Sequence, residues 1–159
     1  MVTLGPVCSW GDFEADQPAM AATVRRLFDA RRHKTIATLR ADGSPRISGI
    51  ECAFGSGRLT FGSMADSRKL ADLQRDPRFA LHSPTIDPVE GKESAWPGEA
   101  KISGRAVSLG PLEGEEVPPG ELFSADIEEV VFVHLDETAT TLLVEWWTPA
   151  GGLRVAERA

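Results

Sequence analysis

The chain has 159 residues, 42% of them hydrophobic, and a formal net charge of −7 from 17 basic and 24 acidic residues. This length predicts one domain with a substantial core. The acidic balance argues against sequence-independent binding of nucleic acid or of an anionic membrane, and no apolar run approaches the roughly 18 residues of a transmembrane helix. Two cysteines and the lack of a secretory signal pattern favour a cytoplasmic protein. The three histidines have no second ligand at metal-binding spacing, so no metal site is expected.

The first half of the chain predicts a helix followed by a three-stranded meander. Glycines and prolines interrupt residues 1–18, which are expected to form an N-terminal loop. Residues 19–32 place apolar side chains at spacings of three and four, which indicates a helix. Residues 34–40 and 45–54 are predicted strands joined by an Ala-Asp-Gly-Ser turn, and residues 58–62 form the third strand.

The second half of the chain predicts further strands, at residues 78–83, 100–109, 127–135 and 140–148. Between them, residues 110–125 are rich in Pro, Gly and Glu and are expected to form an acidic surface loop. No repeat or linker divides residues 1–159, which indicates a single domain. About six strands with two helices predict a mostly β fold, a small and mostly antiparallel barrel with flanking helices.

The first turn of the helix after residue 62 carries an unusual pair of cations. Asp66 or Ser67 can cap this helix, and Arg68 and Lys69 follow at once. Unpaired N–H groups and the positive end of the helix dipole disfavour cations there, so two of them indicate an anion site. A phosphate group is the expected ligand, because it can also accept from the hydroxyls of Ser63 and Ser67.

A structural alternative explains the same cations without any ligand. Arg68 and Asp72 are four residues apart on the predicted helix and could form a solvent-exposed ion pair. Surface pairs of this kind are common, so the spacing alone leaves both interpretations open.

Several segments together resemble one known family. A helix followed by TLRADGSPRIS, LTFGSMADSRKLADLQRDPRFAL and AKISGRAV is similar to the FMN-binding split β-barrel family, the superfamily of pyridoxamine 5′-phosphate oxidase, over residues 19–148. The resemblance implies a six-stranded antiparallel split β-barrel that forms a homodimer with a cofactor cleft at the subunit interface. It implies FMN as the cofactor, with the deazaflavin coenzyme F-420 as the alternative.

The resemblance also implies a set of cofactor-binding positions. In it, Arg46, Arg68 and Lys69 match residues that hold the cofactor phosphate, and Ile47 and Ser48 lie along the ring. The whole set is Arg46, Ile47, Ser48, Gly62, Ser63, Ser67, Arg68, Lys69 and Trp147. For Trp147 the alternative is an ordinary core residue.

One departure from the family concerns the substrate. Glu51 stands where pyridoxine phosphate oxidases have a basic residue for the substrate phosphate, so oxidation of vitamin B6 is not expected. The resemblance then implies a flavin- or deazaflavin-dependent oxidoreductase acting on a small molecule, and Lys101 and Arg105 are candidates for contacting the longer deazaflavin tail. The alternative is a non-catalytic carrier or sensor of flavin, haem or a similar ligand. The sequence has no catalytic triad, zinc-protease motif or Walker loop, which suits chemistry performed by a cofactor ring.

Overall fold

The structure, a computed structural model, describes residues 5–159. Its helices are α1 (Trp10–Asp16), α2 (Pro18–Asp29), α3 (Arg68–Arg75) and a 3₁₀ turn at Glu93–Ala95. The buried faces of α1 and α2 include Phe13, Val24 and Phe28, whereas α3 buries Leu70 and Leu73. All three α-helices therefore contribute to one hydrophobic core. None of the helices within residues 5–159 is long and apolar enough to cross a membrane.

The predicted N-terminal loop is wrong for part of residues 1–18. The side chain of Ser9 accepts from the N–H of Asp12 and the Asp12 carboxylate accepts from the N–H of Ser9, a capping box that starts α1. Pro18 occupies the first turn of α2, where its missing N–H costs nothing. The expectation for residues 1–4 lies outside the described part of the chain.

Within residues 5–159, nine strands form one antiparallel sheet. They are β1 (Lys34–Leu39), β2 (Pro45–Ile50), β3 (Cys52–Gly55), β4 (Arg58–Met64), β5 (Arg78–His82), β6 (Glu99–Pro111), β7 (Gly120–Leu135), β8 (Leu142–Thr148) and β9 (Gly152–Arg158). Their order is β2-β1-β5-β6-β7-β4-β3, and β8 and β9 extend the sheet from the second half of β7.

The order of the strands confirms a mostly β fold of the split-barrel type, although the number of strands differs from six. The two end strands, β2 and β3, follow each other in the chain and are separated only by Glu51. The predicted strand 45–54 is thus two strands, which pair with β1 and β4 respectively. Strand β9, which pairs with β8 in a C-terminal hairpin, lies in a segment for which no strand was predicted.

The predicted loop at residues 110–125 is shorter than expected. Strand β6 continues to Pro111 and β7 begins at Gly120, so the connection contains residues 112–119 alone. Phe123 and Ala125 are buried on the inner face of β7, where they pack into the core. Burial of these two side chains outweighs the loop-like composition of the preceding residues.

Candidate functional site

The end of β4 leads into the first turn of α3 through a pair of serines. Ser67, not Asp66, caps the helix: its Oγ accepts from the backbone N–H of Leu70 at 3.3 Å. The Oγ atoms of Ser63 and Ser67 lie 2.7 Å apart, and Ser63 is almost fully buried. Either hydroxyl can donate in this contact. When Ser63 donates to Ser67, the hydroxyl proton of Ser67, the more exposed of the two residues, is free for a ligand.

The first turn of α3 offers donors and positive charge together. Within the described residues, the backbone N–H groups of Arg68 and Lys69 make no hydrogen bond, and neither side chain forms an ion pair. Leu70 and Leu73 fix the helix in the core, so these donors are held at one end of β4. Such free N–H groups at a helix N-terminus stabilise a bound anion.

The structure contradicts the structural alternative in which Arg68 pairs with Asp72. Asp72 is 2% exposed and points inward from α3 towards β1 and β2. Its Oδ2 accepts from Arg46 Nε and Thr38 Oγ1, both at 2.7 Å, and its Oδ1 accepts from Arg75 Nη2 at 3.0 Å. These three donors, and not Arg68, form the hydrogen bonds of the Asp72 carboxylate within the described chain.

The pKa of the Asp72 carboxyl reflects two opposing causes. Burial alone raises the pKa, but the hydrogen bonds from Arg46, Thr38 and Arg75 favour the charged form and together lower the pKa from 3.8 to about 2. Asp72 is therefore ionised at neutral pH, and its charge is compensated inside the protein.

A cavity of about 360 Å³ opens beside this cluster, between α3 and the β1–β2 hairpin. Four arginines line it, and two aspartates face them: Arg40, Arg46, Arg68, Arg75, Asp42 and Asp72. We call this the arginine cavity. Positive groups outnumber negative groups in it, in a chain whose net charge is −7. Lys69, half-buried on the neighbouring helical position, adds a further cation at the helix end.

The predicted ring contacts Ile47 and Ser48 lie on opposite faces of β2. Ser48 is half-buried on the inner face, together with Arg46. Ile47 is 75% exposed and lines a separate, mostly apolar cavity of about 360 Å³ with Ala37 and Lys101. The structure therefore brings Arg46 and Arg68 together but places Ile47 at a second cavity.

Gly62 lies next to Leu112, which lines a third cavity that the sequence did not indicate. A Cβ at Gly62 would meet Leu112 Cδ2 at 2.9 Å, so the connection between β6 and β7 covers this residue. Leu112, Leu70 and Val117 line a cavity of about 760 Å³ on the opposite side of α3 from Arg68. No local signal could have identified it, since its walls come from segments about 40 residues apart.

Trp147 does not lie with the other predicted site residues. It is 4% exposed, its ring centroid lies 4.9 Å from that of Phe13, and its Nε1 donates to Asp16 Oδ2 at 2.8 Å. These contacts attach α1 to β8 and make Trp147 a core residue. Its role as a cofactor contact stays a prediction that this placement does not support.

Two other residues that the sequence associates with substrate or cofactor binding form ion pairs within the chain. Glu51 forms an ion pair with Arg32 at 2.7 Å between Oε1 and Nε. Arg105 forms one with Glu128 and is mostly buried, whereas Lys101 is exposed. Of the two candidates for an acidic tail, Lys101 is the one with a free cation within residues 5–159.

The donors at the arginine cavity and at the start of α3 suit a phosphate group. They comprise two backbone N–H groups, a serine hydroxyl and three cations that form no ion pair within residues 5–159, Arg40, Arg68 and Lys69. A phosphate monoester has three terminal oxygens that accept hydrogen bonds from such donors. Thr38, Arg40 and Arg75 also belong to this region, although the sequence analysis did not single them out.

Comparisons with known proteins identify the family of the chain. The family model of pyridoxamine 5′-phosphate oxidase matches residues 20–134. A comparison with curated proteins finds no match. Among solved structures, a pyridoxamine 5′-phosphate oxidase-related, FMN-binding protein from Nostoc punctiforme PCC 73102 is similar with a TM-score of 0.62 and 12% identity, over 90% of this chain and 96% of that chain.

Two further solved structures share the fold. PhzG from Burkholderia lata 383, in complex with tetrahydrophenazine-1-carboxylic acid, has a TM-score of 0.60 and 13% identity over 95% of this chain and 93% of that one. A haem-binding protein from Mycobacterium smegmatis has a TM-score of 0.51 and 14% identity, over 84% of this chain and 56% of that chain. At such identities these structures show the fold alone, but the family model covers well over half of the sequence. The chain belongs to the pyridoxamine 5′-phosphate oxidase family.

Proposed function

We propose that the protein binds FMN through its phosphate group and acts as a flavin-dependent oxidoreductase. The observation that carries the proposal is the arrangement around Asp72: three internal donors pair with this carboxylate, and Arg68 and Lys69, which form no ion pair within residues 5–159, remain available at the start of α3. The FMN-binding relative from Nostoc punctiforme supports flavin as the ligand class. Vitamin B6 oxidation is not part of the proposal, because Glu51 carries a negative charge at the end of β2.

Each residue of the site contributes to phosphate binding in a different way. Arg68 and Lys69 neutralise the phosphate, the Ser67 hydroxyl and the free N–H groups of α3 donate to its oxygens, and Arg46 contributes its guanidinium from β2. Bound FMN supplies the hydride and electron transfer chemistry, so the protein contributes orientation, charge and exclusion of water.

Two further parts of the proposal concern an alternative cofactor and the assembly of the subunits. The deazaflavin coenzyme F-420 has a related three-ring system and, like FMN, a ribityl chain and a phosphate group, so the same donors suit it, and Lys101 is the exposed cation that could contact its tail. We also propose a homodimer with the cofactor at the subunit interface. The exposed Ile47 and the apolar cavity beside it suit contact with a second subunit.

Haem binding has weaker support than flavin binding. His82 contacts the Ser83 carbonyl through Nδ1 and Glu99 through Nε2. His134 likewise contacts the Leu135 carbonyl and Glu145. At both of these histidines a haem iron would have to displace an existing contact.

The proposal is tested by titrating the purified protein with FMN, riboflavin and the deazaflavin coenzyme while following fluorescence. Riboflavin lacks the phosphate, so we expect FMN to bind much more tightly. Arg68→Ala with Lys69→Ala should weaken FMN binding at least about a hundredfold, because two charge-assisted contacts are lost. Riboflavin binding should change little.

A matched control removes two cations elsewhere. Arg26 and Arg31 are exposed and lie at the C-terminal end of α2 and just after it, so Arg26→Ala with Arg31→Ala changes the net charge equally without touching the site. Equal FMN affinity in the Arg68/Lys69 variant and the wild-type protein, with the fold intact, would remove the central claim. Reoxidation of the bound, reduced cofactor by an added electron acceptor over many turnovers would distinguish an enzyme from a carrier.

A further inference from the structure

Three elements of the fold meet at the carboxylate of Asp72. Arg46 comes from β2, Thr38 from β1 and Arg75 from α3 itself. Arg46 uses its Nε for the contact, and in the described chain no acceptor bonds to its two Nη groups. Because a guanidinium is planar, a bond that fixes Nε also fixes the direction in which both Nη groups donate.

The carboxylate itself is held rigidly. Thr38 and Arg46 donate to one oxygen and Arg75 to the other, so neither oxygen is free to turn away. The Arg75 Nη2 also donates to the Leu39 carbonyl at 2.8 Å, which links α3 to β1. Asp72 thus occupies one orientation and transmits it to Arg46.

Arg46 depends on this partner for its own position. Its side chain is 20% exposed, so most of the guanidinium and its stem lie inside the protein. A cation that is largely buried needs a counter-charge, and without Asp72 the side chain would turn towards solvent at the rim of the arginine cavity. Arg46 would then no longer present its donors beside Arg68.

We propose that Asp72 is a positioning residue of the anion site, which holds Arg46 by its Nε so that both Nη groups donate to the phosphate of the ligand. The inference rests on the proposed function for the identity of that ligand. Asp72 does not touch the phosphate, and its charge taken alone repels any anion in the arginine cavity.

The sign of one substitution separates positioning from simple charge. Asp72→Asn removes a negative charge next to the site, so an effect of charge alone strengthens the binding of anions. Loss of the Arg46 orientation weakens it instead. We expect Asp72→Asn to lower the affinity for both FMN and inorganic phosphate about tenfold, the equivalent of one charge-assisted contact, with riboflavin affinity unchanged.

A double-mutant cycle shows whether the effect acts through Arg46. In the background of Arg46→Ala, the additional change Asp72→Asn should cost no further affinity for phosphate. Asp29→Asn is the matched control: it removes one negative charge from an exposed ion pair on α2 that does not line the arginine cavity, so the phosphate affinity should stay within about twofold of wild type. Tighter phosphate binding in Asp72→Asn, or independent losses in the cycle, would overturn the inference.

The wild-type protein provides a second measurement if Asp72→Asn does not fold. The ¹H–¹⁵N NMR signal of Arg46 Nε should be protected from exchange with solvent before and after phosphate is added, because the Asp72 contact persists, while its Nη signals shift. Rapid Nε exchange, or an Arg46 that does not respond to phosphate, would contradict positioning.

The probes also separate this inference from the proposed function. Wild-type protein that binds inorganic phosphate but not FMN removes the flavin proposal, and the cycle with phosphate still decides the role of Asp72. Wild-type protein that binds neither overturns both.

Discussion

The Asp72 cluster predicts a specific loss of stability in acid. The pKa of Asp72 is lowered from 3.8 to about 2 in the folded protein, so the unfolded chain binds the proton more readily. The stabilisation is fully present above pH 4 and is lost as the pH falls towards 2. A shift of this size corresponds to roughly 2 kcal/mol of unfolding free energy.

Urea unfolding followed by tryptophan fluorescence measures this contribution. Wild type and Asp72→Asn are compared between pH 6 and pH 2, because the asparagine does not titrate and the other carboxylates titrate in both proteins. The wild-type advantage at pH 6 should shrink by roughly 2 kcal/mol at pH 2, which is a change of about 4–8 °C when expressed as Tm. A difference between the two proteins that stays constant over this range would refute the reasoning, since Asp72 would then have an ordinary pKa.

Three further predictions concern packing and reactivity. A Cβ at Gly104 would collide with a backbone carbonyl of β7, so Gly104→Ala should lower the free energy of urea unfolding by about 1–3 kcal/mol. No atom lies within reach of a Cβ at Gly49, so Gly49→Ala is the control and should change this free energy by less than about 0.5 kcal/mol. Equal costs of the two substitutions would contradict the packing. Trp147→Phe removes a hydrogen bond to a carboxylate of α1 and should lower the unfolding free energy by about 1–2 kcal/mol, and an unchanged Tm would count against that contact. Burial raises the pKa of Cys8 and of Cys52 to about 11, so iodoacetamide should label both thiols slowly at pH 8 until urea unfolds the protein. Rapid labelling of the native protein would show accessible thiolates and contradict this prediction.

Much of the fold follows from local patterns in the sequence. The alternation in residues 34–54, the turn between the two strands and the short helix after Ser67 all appear in the structure. Helix α1 was missed because its apolar contacts, from Trp10 and Phe13, are made with distant segments. Its capping box from Ser9 to Asp12 is the signal that could have revealed it.

The site was predictable in its ligand-facing residues but not in its supporting contacts. Unusual cations in the first turn of α3 indicated an anion site from the sequence, and the structure leaves Arg68 and Lys69 unpaired among the described residues. Helical spacing suggested Asp72 as the partner of Arg68. It could not show that Arg46, 26 residues earlier, reaches the same carboxylate. That contact depends on how α3 packs on β1 and β2, which no local pattern specifies.

The N-terminal segment covers an exposed edge of strand β7. Strand β6 pairs with β7 along one side. On the other side, the first residues of β7 pair with β4 and its last residues pair with β8, so the middle of β7 has no neighbour there among the named strands. Cys8 fills the vacant side: its N–H donates to the Ile127 carbonyl at 3.0 Å, and its carbonyl accepts from the Ile127 N–H at 2.8 Å. Removal of residues 5–9 would uncover backbone groups on which another chain could add a strand, so a truncated protein should form aggregates that the full chain does not form.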